Sequence, residues 1–168
     1  VIIDKKTYEL DTDGSLKGYT PKKKSSKKKS SDKSDTSDKS GTSTAKKSVA
    51  LTFDDGPSSF TDRLLDCLEE NNAKATFFMV GTEIASFPDE VKRMKKLGCE
   101  LGNHTYDHKD LATLSSDEIS SEIARVDEQL VNLTGEGASV VRPPYGSVND
   151  TVKSTVGTPM ILYHSVVH

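Results

Sequence analysis

The stretch Ser48-Val49-Ala50-Leu51-Thr52-Phe53, running directly into Asp54-Asp55-Gly56-Pro57, decides the fold. A short apolar run with β-branched Val49 and Thr52, stopped by Gly-Pro, reads as a buried strand over 48–53. Beyond it, helical and extended patterns alternate. Phe60, Leu64, Leu65, Cys67 and Leu68 recur at helical spacing through Glu70, and residues 75–80, rich in Phe and Val, predict a second strand. Pro88 opens another helix with Val91, Met94 and Leu97 on one side and Gly98 as its stop, and residues 99–102 predict a third strand. Ser115 and Glu118 have capping-box spacing, after which Ile119, Ile123, Val126, Leu130 and Leu133 step by three or four residues until Gly135. A strand over 139–142, a Pro-Pro-Tyr-Gly turn, a helix over 148–156 and a strand over 160–163 complete the pattern. Repeated strand-helix units imply an α/β fold with a mainly parallel sheet, whose functional loops lie at the carboxyl ends of the strands.

Outward from this core the composition changes. The chain has 168 residues, 33% hydrophobic and 29% charged, with a net charge of −3 that hides a strong asymmetry. Residues 21–47 hold ten Lys against three Asp, and their sole hydrophobic residue is Ala45. Nothing there can offset the entropy of ordering a backbone, so a disordered linker is expected. A solvated spacer is its simplest role; its Lys blocks could also contact an anionic cell wall, and no nucleic-acid partner is expected. Residues 1–20 carry an alternating pattern around Asp13-Gly14 that predicts a hairpin over 7–20, the end of an upstream segment. The expected organisation is therefore 1–20, 21–47 and a domain over 48–168. No apolar run approaches the roughly 18 residues of a membrane span. Cys67 and Cys99 read as buried free thiols rather than a disulfide framework.

Three strand-end loops carry chemistry. Asp54 and Asp55 leave an extended backbone in different directions, so one could bind a metal while the other handles a proton; an Asx turn or helix cap is the structural alternative. Asn103-His104-Thr105-Tyr106-Asp107-His108 holds two of the four histidines, four apart, a spacing that on a helical turn brings both rings to one divalent ion. Two His and one Asp would leave coordination positions open for water and substrate, as in a catalytic site. In Arg142-Pro143-Pro144-Tyr145-Gly146 the prolines fix the backbone, leaving the Tyr145 N–H as the first donor after them; Arg142 could pair with a carboxylate of the first loop.

Together, TFDDGP, NHTYDH and RPPYG, each after a strand, resemble the polysaccharide deacetylases, carbohydrate esterase family 4, over residues 48 to about 163. The resemblance implies a distorted (β/α) barrel and metal-dependent removal of acetyl groups from N-acetylglucosamine polymers such as peptidoglycan or chitin, less often from acetylated xylan. It implies Asp54 as general base, Asp55, His104 and His108 as metal ligands, and Thr105 as a brace of the histidine loop through its hydroxyl. It makes Arg142 the tether of the base, Pro143 and Pro144 a groove wall that contacts substrate, and Tyr145 the source of an oxyanion-binding amide. Zn is the expected ion, with Co, Ni or Mn as alternatives. The family's later motifs, an Asp-Trp pair and a Leu-x-His supplying the general acid, have no counterpart after Gly146. The expectation is a chain whose C-terminal units are missing or diverged, with His164, His168 or a residue outside this chain as the acid. A secreted or wall-anchored bacterial protein is implied. A sugar-binding pseudoenzyme and a metal-stabilised structural domain are the competing classes.

Overall fold

The computed structural model describes residues 2–3, 6–7 and 50–162. The chain divides into two units. In the first, β1 (Ile2–Ile3) and β2 (Lys6–Thr7) pair antiparallel. The linker over 21–47 and the expected hairpin beyond Thr7 lie outside the described residues.

The second unit is built on a four-stranded parallel sheet, β3 (Thr52–Gly56), β4 (Thr76–Met79), β5 (Glu100–Asn103) and β6 (Val140–Val141), neighbours in that order. Helix α1 (Thr61–Glu70) joins β3 to β4. The short α2 (Gly81–Ile84) and α3 (Pro88–Lys96) join β4 to β5. Helix α4 (Ser116–Thr134) leads into β6, and α5 (Asp150–Thr155) comes after it. The capping box forms as its spacing predicts, with Ser115 and Glu118 satisfying each other's backbone amides, and Gly135 at φ 81° ends the helix in the left-handed region.

Helix α4 shows how the chain buries its face. Ile119, Val126 and Leu130 are fully covered, each contributing roughly 1.5–3 kcal/mol relative to exposure. Val126 and Leu130 join Leu65, Phe77, Met79, Val91, Met94 and Leu101 in the main core, and Ile119 joins Leu111, Val141, Val152 and Val156 in a second cluster. Across α1 and α3, Arg93 reaches Asp62, Asp66 and Glu69 at 3.1, 2.6 and 3.0 Å.

Several sequence expectations shift. The first strand starts at Thr52 and runs through both aspartates, because between the Phe53/Phe77 and Gly56/Met79 pairs β3 carries one residue more than β4. That bulge lets the ladder continue where a stop was expected. The strand expected over 160–163 reduces to one parallel bridge, Val141 to Met160, because the next donor along the ladder would be Pro143, which has no N–H, and Ile161 O accepts from Arg142 Nε instead; Tyr163 lies outside the described residues. Cys67 is exposed, not buried, since it falls on the outer side of α1 next to the buried Leu65 and Leu68; Cys99 is buried, and both are free.

The sheet also curls. Flat strands at about 4.8 Å spacing would put β3 and β6 about 14 Å apart. Yet Arg142, just past β6, bonds directly to Asp54 on β3 and lies over the Phe78 ring of β4, 4.0 Å from its centroid. A contact that spans all four strands draws β3 and β6 together, as in the wall of a barrel, and this end of the sheet collects the three loops.

Candidate metal centre

Asp55, His104 and His108 converge at the carboxyl ends of β3 and β5. Asp55 Oδ1 stands 3.4 Å from His104 Nε2 and 3.2 Å from His108 Nε2, and the three candidate ligand atoms all lie within 4.8 Å of one another. The route differs from the one read in the sequence. Residues 104–110 form no helical turn; Thr105 and His108 adopt left-handed φ values of 70° and 56°, and the loop folds back on itself to bring the rings together. Asp55, also left-handed at 67°, is turned toward them by the bulge. These positive φ values exclude a right-handed helical turn, and His104 N, bonded to Met79 O at 2.9 Å, continues the sheet up to the loop.

The donor chemistry fits a divalent cation. His104 Nδ1–H donates to the Arg142 carbonyl at 2.6 Å, which leaves Nε2 of the neutral ring bare. Burial pushes the His104 pKa below its ordinary value and so favours that neutral form. A bare nitrogen and a carboxylate oxygen facing each other at 3.4 Å repel unless positive charge lies between them. Arms of about 2.1 Å at tetrahedral angles put ligand atoms about 3.4 Å apart, close to the observed spacing. His108 is held from its other side, with Nδ1 3.2 Å from the Tyr145 hydroxyl.

Asp54 points elsewhere. Its Oδ1 accepts from Arg142 Nη1 at 2.6 Å, and the same nitrogen donates to Thr52 Oγ1 at 2.9 Å while Nε donates to Ile161 O at 3.1 Å. The expected pairing of Arg142 with the first loop therefore forms, buried to 3% side-chain exposure on the arginine. Pro143 and Pro144 lead into a tight turn in which Tyr145 takes φ 61° and exposes its ring. Beside the aspartates lies a cleft of about 290 Å³ with Phe53, Phe77 and Phe78 among its lining residues.

Thr105 acts differently from expectation. Its buried hydroxyl has no partner among the described residues, and its backbone N–H is what braces the loop, donating to Asn103 Oδ1 at 2.8 Å. His164 and His168 lie outside the described residues. Sequence reasoning missed Glu122 of α4, whose Oε2 accepts from the Tyr106 and Asp107 amides at 2.9 and 2.8 Å. Its signal was available: a carboxylate between Ile119 and Val126 interrupts the apolar stripe of α4.

A family model described as polysaccharide deacetylase matches residues 41–158. The chain belongs to the polysaccharide deacetylase family. It is similar to a peptidoglycan-N-acetylglucosamine deacetylase of Bacillus cereus, 46% identical over 104 residues that make up 61% of this chain and 38% of that one. The deacetylase fold matches the structure of the peptidoglycan deacetylase PdaC from Bacillus subtilis with TM-score 0.66 and 37% identity, over 68% of this chain and 57% of that one. It also matches a family 4 acetyl xylan esterase from Clostridium thermocellum, solved in complex with a cobalt ion, with TM-score 0.64 and 35% identity, over 66% and 55% of the two chains. The chain thus spans well under half the length of the Bacillus cereus deacetylase and a little over half of the two solved ones.

Proposed function

We propose that this deacetylase-family chain carries the metal ligands and the base of a centre that removes acetyl groups from N-acetylglucosamine-containing polysaccharide, with peptidoglycan as the preferred polymer. The observation that carries it is the convergence of Asp55, His104 and His108 beside an Asp54 tied to buried Arg142. The peptidoglycan relatives support the polymer, and the cobalt-bound esterase supports a divalent ion, for which Zn is favoured by two imidazoles and one carboxylate. When bound, such an ion supplies Lewis-acid polarisation of the acetyl carbonyl and a water of lowered pKa.

The chain's own residues divide the remaining work. Asp54 accepts the proton of the attacking water, oriented by Arg142, whose three hydrogen bonds and stacking on Phe78 leave it one position. The Tyr145 N–H, on its rigid turn after two prolines, donates to the oxygen that gains charge. Pro143 and Pro144 wall the groove. Breaking the C–N bond releases an amine that needs a proton, and His164, His168 or a residue outside this chain supplies it. Because peptidoglycan lies outside the cytoplasmic membrane, the proposed setting is the bacterial cell envelope.

The test is acetate release from chitooligosaccharide and from an aryl acetate. The 168-residue chain should cleave the ester faster than the amide, because the aryloxide of an aryl acetate leaves without protonation far more readily than an amide nitrogen. Asp54→Asn should lower both rates by roughly 10² to 10⁴. Release that is unchanged by Asp54→Asn would overturn the assignment.

A further inference from the structure

We propose that Glu122 is a positioning residue that sets the histidine loop in its metal-binding shape, an inference that rests on the reading of Asp55, His104 and His108 as ligands. Glu122 is 4% exposed on the otherwise apolar buried face of α4. A carboxylate there is costly unless its oxygens are satisfied. They are, and all three partners belong to one loop: the Tyr106 and Asp107 amides on Oε2, and Lys109 Nζ at 3.0 Å on Oε1. Tyr106 and Asp107 lie between the two histidines, and Lys109 comes directly after the second.

The loop needs such a clamp. Its two held amides are flanked by Thr105 and His108, both non-glycine residues at positive φ, a conformation that persists only where surroundings over-determine it. At the other end Asn103, fully buried, accepts from Thr105 N and donates to Ile123 O and to Asp127 Oδ1 at 3.0 and 3.3 Å. Lys109 also reaches Asp107 Oδ2 at 2.9 Å and holds that carboxyl below the usual carboxylate range. Helix α4 therefore grips the segment at both ends, and Glu122 supplies the grip nearest His108. Glu122 makes no contact with the ligand nitrogens and acts through the backbone between them.

The experiment uses the full 168-residue chain, zinc titration calorimetry and amide hydrogen exchange. In the metal-free wild type, the Tyr106 and Asp107 amides should be protected. Glu122→Ala should weaken zinc binding roughly 10- to 100-fold and speed exchange at those two amides. Glu122→Gln, which keeps an oxygen for both amides, should lose less than about tenfold. Val126→Ala, on the same buried face, should lower the unfolding midpoint without changing zinc affinity. Unprotected amides in the wild type would overturn the proposal even if Glu122→Ala does not fold. So would a Glu122→Ala chain that binds zinc as the wild type does, or a Val126→Ala chain that loses as much. A wild type that binds no zinc would instead remove the reading of the site on which the inference rests.

Discussion

Replacing Arg142 by Met tests whether the curved sheet and the base share one anchor. The guanidinium is 3% exposed and the Asp54 carboxylate 28%, joined at 2.6 Å. Removing one partner of a fully buried pair costs about 3–5 kcal/mol, mainly by stranding the other charge. Asp54 keeps some access to water, which moves the expectation toward the lower end. Loss of the bonds to Thr52 Oγ1 and Ile161 O and of the Phe78 contact acts the other way. The net expectation is about 3 kcal/mol, a large share of the stability of a domain of this size. In urea unfolding of the metal-free chain this is a midpoint shift of about 2 M. A double-mutant cycle with Asp54→Asn isolates the pair, with a coupling of about 1.5–3 kcal/mol expected. A loss below about 1 kcal/mol with no coupling would mean that β3 and β6 are not joined through this contact.

Gly102→Ala should disturb the same anchor from beneath, since an added methyl would meet Phe78 Cδ1 at 2.6 Å and push the ring under Arg142; we expect a loss of about 1–3 kcal/mol by urea unfolding. Ser115→Ala should cost about 1 kcal/mol through the lost cap, measured the same way, and leave metal affinity untouched. His104 is pushed by burial below its ordinary 6.5, so the unfolded chain takes up its proton first as pH falls. Stability of the metal-free chain should therefore be complete above about pH 6.5 and decline below it, with a smaller decline in His104→Gln, tracked by unfolding midpoints between pH 7 and 5.5.

The parts of the fold set by local periodicity were legible. Helix α4 has its cap, stripe and glycine stop written in Ser115, Glu118, the spaced aliphatics and Gly135. The parts that depend on the neighbouring strand were not. The bulge in β3 is a register difference against β4, and the loss of a full strand after Met160 stems from Pro143, on the neighbouring segment, which has no N–H for Ile161 O. At the site, residue types and order announced Asp55, His104 and His108, but not the conformation that joins them. The spacing of four suggested a helical turn, whereas two left-handed residues do the work, and no propensity favours Thr in that region. Glu122 was visible as a misplaced charge in the α4 stripe. Its purpose became readable only with the loop packed against it.

The most direct test of the central claim is the stoichiometry and residue dependence of zinc binding, measured by competition with a chromophoric chelator. One ion should bind per chain, be lost in Asp55→Ala, His104→Ala and His108→Ala, and be retained in Asp54→Asn, whose carboxylate faces Arg142 instead. Binding that survives His104→Ala, or that disappears equally in Asp54→Asn, would contradict the division of labour between the two aspartates.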